Sequence, residues 1–174
     1  MRQNDEIVRK ARSGDKKALE QLLRDNYKIV YGYLFKLTMN EESAKDFTQE
    51  TMVKAIMHIK NFKGSSKFST WLVSIASNVF KETIRRRSRT RDITMENIKL
   101  PSPDNVEDTV IDREDMSRLK SALLSLPEKK RAVFVLKHFY GYSYKEIAGI
   151  LECPIGTVRS RLHYCISTLQ EELK

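Results

Sequence analysis

Thr157, Arg159, Ser160, Arg161, His163 and Tyr164 crowd hydroxyl, guanidinium, imidazole and phenol groups into one short stretch near the carboxyl end. That set suits hydrogen bonding to base edges and phosphates rather than bond cleavage. Asp46, Gln49 and Glu50 fall at i, i+3 and i+4 and so share one helix face, which Val53 and Met57 extend with apolar surface. A polar patch that ends in exposed apolar residues fits a docked protein, although the same charges would also serve solubility alone. The stretch Asn61-Phe62-Lys63-Gly64-Ser65-Ser66-Lys67, followed by Phe68 and Trp71, mixes amide, ammonium and hydroxyl groups with aromatic rings. Such a loop can enclose an unpaired base, or its aromatics can simply staple the next helix to its neighbours. Finally, Lys81, Arg85, Arg86, Arg87, Arg89 and Arg91 form a basic run able to track phosphates, or to serve as a solvated helix end.

Catalytic groupings do not emerge. His58, His138 and His163 are scattered, and none adjoins a Ser or Cys in a nucleophile motif. Cys153 and Cys165 lack C-x-x-C spacing and a nearby His pair, so buried, inert thiols are expected and no metal site or disulfide framework. Walker-type and dinucleotide-type glycine loops are missing as well, so no cofactor is expected. A formal charge of +9 over 174 residues favours nucleic acid as partner, because a basic excess draws in phosphate and releases its counterions. No apolar run approaches the roughly 20 residues needed to span a bilayer, and no signal peptide precedes Asp5, so a cytosolic protein without stable membrane insertion is expected.

Long amphipathic periods and few alternating β-branched runs predict an all-α protein. The first helix is expected over roughly Asp5 to Ser13, closed by Gly14. Asp15 caps a longer second helix whose stripe is Leu19, Leu22, Leu23, Tyr27, Val30, Tyr31, Leu34 and Leu37. A third runs from Asn40 to about Ile59 with Ala44, Phe47, Thr51, Ala55 and Ile59 inward, and a fourth from Ser69 or Thr70 to about Arg89. Leu100-Pro101-Ser102-Pro103-Asp104-Asn105 resists helix and marks a linker. Beyond it a helix carries Met116, Leu119, Leu123, Leu124 and Leu126, and another starts near Pro127 with Val133, Leu136 and Phe139 before Gly141. Ser143 and Glu146 then form a capping box for a helix buried through Ile147, Ala148 and Leu151, which Pro154 ends. The last helix turns Val158, Leu162, Ile166 and Leu169 inward, and the pair reads as a helix-turn-helix.

Four segments in this order give the chain a family likeness. Asp46-Phe47-Thr48-Gln49-Glu50 is similar to a D-x-x-Q-E docking motif, and Phe68-Ser69-Thr70-Trp71-Leu72 to an F-x-T-W-L signature. Leu126-Pro127-Glu128 with Ser143 to Ala148, and Cys153 to Leu162, are similar to a fourth conserved region. Together they resemble the sigma-70 family of bacterial RNA polymerase initiation factors, in its small extracytoplasmic-function branch. The resemblance implies two helical domains, residues 1–91 and 113–174, joined by a flexible linker over 92–112. It implies that Asp46, Gln49, Glu50 and Val53 dock on the clamp helices of the largest subunit of core polymerase. Promoter −10 DNA would be captured by Asn61, Lys63, Ser65, Ser66, Lys67, Trp71, Asn78, Arg85 and Arg86, with a nontemplate base held out of the stack. The −35 duplex would be read by Thr157, Arg159, Ser160, Arg161, His163 and Tyr164. One departure is plain: many relatives carry Arg-Ala-Arg where this chain has Tyr164-Cys165-Ile166, which removes two cationic donors. An anti-sigma factor, often membrane-bound, is also implied as a partner that would hold the protein silent.

Two other classes fit parts of the same sequence. A freestanding helix-turn-helix regulator would bind operator DNA without polymerase, leaving the Asp46 to Glu50 patch unused. A recombinase or nuclease would need magnesium carboxylates, but Asp46 and Glu50 have no identifiable third acid converging on them.

Overall fold

The computed structural model describes residues 2–91 and 113–172, and the linker expected over 92–112 lies outside them. Among the described residues there are eight α-helices and no strand. In chain order they are α1 (Arg2–Arg12), α2 (Lys16–Thr38), α3 (Glu41–His58), α4 (Phe68–Arg91), α5 (Arg113–Ser125), α6 (Glu128–His138), α7 (Tyr144–Leu151) and α8 (Ile155–Glu172). The predicted caps form. Asp15 accepts the Lys17 and Ala18 amides at 2.9 and 3.1 Å, and Asn40 accepts that of Ser43 at 2.8 Å. At α7 the Ser143 amide donates to the Glu146 carboxylate at 2.8 Å, which holds that carboxyl below its usual range. Reciprocally, the Glu146 amide donates to the Ser143 hydroxyl. Pro154 does not end α7. Glu152 does so in the left-handed region, at φ 52°, and Pro154 instead opens α8, its carbonyl accepting the Thr157 and Val158 amides.

Helices α1 to α4 share an apolar interior built from Leu22, Val30, Leu34 and Leu37 of α2, Ala44, Phe47 and Ala55 of α3, and Leu72, Val73, Ala76 and Val79 of α4. The α2 stripe is corrected in two places. Tyr27 is exposed and stacks outside along Tyr31, with ring centroids 6.2 Å apart, while Tyr33 is fully buried with its hydroxyl 2.8 Å from that of Ser77. Packing against α3 and α4 on one side and α6 on another widens the sector of α2 that must be apolar.

Helices α5 to α8 bury Leu123, Leu126, Val133, Val135, Leu136, Ile147, Ile150, Val158, Leu162 and Cys165. Helix α5 stops at Ser125, so Leu126 is buried from the following turn, and Leu124 is exposed. The Met116 and Leu119 side chains lie outside the described residues. Along α8 the inner line runs Val158, Leu162, Cys165, which leaves Ile166 exposed; steps of four and then three follow the helical period better than repeated fours. Phe139 follows the end of α6 and is exposed rather than core.

The two groups of helices touch, which the sequence patterns do not anticipate. Helix α6 packs on α2, and α7 on α4. Tyr140 meets Tyr33 edge-on at 6.0 Å, and its hydroxyl donates to the Ile29 carbonyl at 3.4 Å. A Cβ at residue 32 would stand 3.2 Å from that hydroxyl, so Gly32 lets Tyr140 approach α2. Arg131, buried, donates to the Leu37 carbonyl at the end of α2 and to the Leu124 and Leu126 carbonyls of its own group.

Candidate nucleic-acid and protein interfaces

Helix α8 is preceded by the tight Glu152-Cys153-Pro154 break and is anchored from beneath by Val158, Leu162 and Cys165. Above that line Arg159, Ser160, His163 and Tyr164 are exposed and Thr157 is half-buried, with the Ser160 hydroxyl donating to the Thr157 carbonyl at 3.1 Å. Arg161 does not join them. It is half-buried and faces α4, because it stands two positions past Arg159, on the opposite flank of the helix.

The two thiols differ. Cys165 is fully buried and donates to the Lys130 carbonyl at 3.3 Å, and burial pushes its thiol up to about 11. Cys153 is half-exposed, which corrects the expectation that both are buried. At pH 8 the Cys165 thiol is only about one part in a thousand thiolate. Iodoacetamide is therefore expected to label Cys153 in the folded protein and Cys165 only after denaturation, as read by peptide mass spectrometry.

In the loop after α3, Phe62 and Phe68 are buried and Trp71 half-buried, with ring centroids 5.2 to 5.5 Å apart. These rings staple α4 to the bundle, so Phe62 and Phe68 are not available to stack a base. The polar residues Asn61, Lys63, Ser65, Ser66 and Lys67 are all exposed around Gly64, which takes a left-handed φ of 75°.

On α3, Asp46 and Gln49 are exposed and Glu50 half-buried, its carboxylate 3.2 Å from the Lys54 ammonium. Lys54 also bonds Glu82 of α4 at 2.9 Å, and that bond is the largest cause of its raised pKa. Beyond this pair Val53, Ile56 and Met57 are 54, 50 and 71% exposed. Leucine-sized apolar groups left so open are what a partner would cover.

Between α4 and the carboxyl-terminal helices lies a cleft of about 420 Å³. Lys81, Arg85, Lys129 and Arg161 line it with Glu128 and Glu152, so its charge is net positive. Asn78 donates across it to Glu152 at 3.5 Å. Arg86 is exposed further along α4. Thus residues predicted for two different DNA elements, Asn78 and Arg85 on one side and Arg161 on the other, face one another.

Among the described residues no three His, Cys, Asp or Glu side chains gather as a metal site, and no helix is long and apolar enough to cross a membrane. Comparison with known proteins shows the family of the chain. The family described as Sigma-70 region 2 matches residues 22–90, and Sigma-70, region 4 matches residues 116–163. The RNA polymerase sigma-H factor of Pseudomonas aeruginosa is 30% identical over 99% of this chain and 94% of its own length. The chain belongs to the sigma-70 family of RNA polymerase sigma factors. Its extracytoplasmic-function character follows from relatives such as SigW of Bacillus subtilis, an ECF sigma factor 31% identical over 96% of this chain and 95% of its own. Among solved structures it resembles the Bartonella quintana sigma factor RpoE, crystallised with the anti-sigma factor NepR. That likeness has a TM-score of 0.76 at 28% identity and covers 90% of this chain and 97% of the other.

For this sigma factor, then, three predicted groups remain at the surface: the α3 face, the polar loop and most of the α8 set. Sequence reasoning missed Ile56, legible as the i+3 neighbour of Val53, and the shared cleft, which no local pattern encodes because it depends on contact between the two helical groups.

Proposed function

We propose that this extracytoplasmic-function sigma factor divides promoter recognition between residues 1–91 and residues 113–174, joined by the linker 92–112. The α3 face of Asp46, Gln49, Glu50 and Val53 docks on the polymerase clamp helices. The exposed loop polars Asn61, Lys63, Ser65, Ser66 and Lys67, with the Trp71 edge, hold an extruded −10 base, and Asn78, Arg85 and Arg86 follow the strand from α4. Binding only the open strand shifts DNA toward melting without bond chemistry, so the chain acts as a specificity subunit and not an enzyme. Arg159, Ser160, His163 and Tyr164 enter the −35 major groove from α8, with Thr157 at its edge and Arg161 beside it.

The carrying observation is that the α3 face, the loop polars and the outward α8 set sit on separate surfaces, each braced from beneath by buried residues, whereas Asn78, Arg85 and Arg161 share the cleft. The shared cleft adds a requirement. Elements named −35 and −10 are about 25 base pairs apart, roughly 85 Å at 3.4 Å per step, whereas Asn78 and Glu152 are in hydrogen-bond contact. Both elements are reached only after the two helical groups separate. An anti-sigma partner that favours the closed arrangement would keep the factor silent, and the structure-level likeness to an anti-sigma-bound relative supports this reading.

Run-off transcription from a genomic promoter library with core polymerase tests it: the chain should confer selected start sites. Arg159→Ala should then lower initiation on those promoters about tenfold, within the roughly 1–3 kcal/mol of a lost base or phosphate contact. Start-site choice that does not depend on the added chain rejects the reading.

A further inference from the structure

Lys130, in the first turn of α6, holds its ammonium 3.0 Å from the centroid of the Tyr164 ring on α8. The main chain of Lys130 is fixed to the same helix, since the buried Cys165 thiol donates to its carbonyl. Backbone and side chain are therefore both seated on α8, and the ammonium has a defined position. Tyr164 is 42% exposed, follows His163 and stands one turn beyond Ser160, on the outward side of the helix. Its neighbour Lys129 turns instead into the cleft.

Charge along α8 makes this position telling. Arg159 and Arg161 are its only Lys or Arg residues, both in its first half, and from Leu162 to Glu172 none occurs. A helix lying in a major groove has phosphates along its whole flank, so the second half of α8 would pass them without a cation of its own. We propose that Lys130 supplies that cation, contacting a backbone phosphate beside the −35 element while the Tyr164 ring holds its ammonium against α8. A compact ammonium suits a phosphate oxygen as a point charge, without reading a base. Tyr164 is thereby a positioning residue for Lys130. The inference rests on α8 being the −35 helix.

The test uses the full chain assembled with core polymerase and a fluorescent duplex carrying a promoter selected in the run-off library, titrated between 50 and 200 mM salt. One phosphate contact contributes about 0.9 to the slope of log affinity on log salt, so wild type should lose about 3.5-fold more affinity than Lys130→Met over that range. Lys130→Arg should restore the slope, Tyr164→Leu should reduce it in part, and preference for the selected −35 sequence over a scrambled one should be unchanged in Lys130→Met. An unchanged slope in Lys130→Met, with Arg159→Ala still impaired, overturns the proposal and leaves the −35 assignment standing. If neither variant alters binding, that assignment itself falls. Weaker binding that Lys130→Arg does not restore, accompanied by a lowered melting temperature, overturns it in favour of a clip between α6 and α8.

Discussion

Arg131→Met is expected to lower the melting temperature by about 6–12 °C in calorimetry. The guanidinium is seated between two helix ends, taking the Leu37 carbonyl from the last turn of α2 and those of Leu124 and Leu126 at the end of α5. Carbonyls in last turns have no partner within their own helix, and the negative end of each helix dipole favours a cation there. Burial pulls the guanidinium pKa below its ordinary value, yet the three bonds keep the charge in place. Methionine fills similar volume but leaves buried oxygens unpaired, each costing about 1–3 kcal/mol before the structure relaxes, so a net loss of about 3 kcal/mol is expected. Arg131→Lys, with one compact ammonium, should recover part of it by reaching a single carbonyl. Because one bond crosses from α6 to α2, the loss falls partly on the contact proposed to open during promoter binding. An unaltered melting temperature would remove Arg131 from both roles.

The helix caps were legible because each is a local event. Asp15, Asn40 and the Ser143–Glu146 box satisfy amides within three residues, and nothing distant competes with them. Inner faces were legible where a helix leaves one broad side to solvent, as in α3, whose Ala44, Phe47, Thr51 and Ala55 are all buried, with Ile59 buried just past its end. Helix α2 was misread because it has neighbours on more than one side, so the burial of Tyr33 depends on Tyr140, more than a hundred positions later. The same long-range cause hid the positive cleft, whereas Arg161 turns away from Arg159 through helix periodicity alone. Glu152 was missed as a helix stop because a non-glycine in the left-handed region carries no residue-type signal, whereas Pro154 two positions on looks like one.

Family motifs say little about how their side chains divide between core and surface. In the Phe68 to Leu72 signature, Phe68 and Leu72 are buried and structural, while Ser69, Thr70 and Trp71 keep an exposed portion. In the Asp46 to Glu50 motif, Phe47 and Thr48 are buried, the Thr48 hydroxyl bonding the Ala44 carbonyl at 2.6 Å, which leaves Asp46, Gln49 and Glu50 for a partner. A motif therefore records alternating demands of core and surface on one helix, and burial separates them.

That separation sets up the strongest docking test. Val53→Asp should weaken binding to core polymerase about 30-fold or more while leaving helicity and melting temperature unchanged. Val53 stands at the centre of the α3 face, one turn beyond Gln49 and one before Met57, with Ile56 beside it. A central apolar residue that a partner fully desolvates is worth about 2 kcal/mol or more, and each 1.4 kcal/mol is tenfold in affinity. Aspartate adds a desolvation cost and places a third acid next to Asp46 and Glu50, so the loss should exceed simple truncation. In the free chain the same change costs little, because Val53 is 54% exposed and contributes no packing that aspartate removes. Gln49→Ala with Glu50→Ala should move affinity in the same direction but less, since rim polar groups contribute less than a buried apolar centre and Glu50 already spends its carboxylate on Lys54. Fluorescence titration of labelled chain with core polymerase reads the difference. Equal affinity for Val53→Asp and wild type would show that α3 is not where the enzyme holds this factor, and its exposed apolar strip would then need another partner.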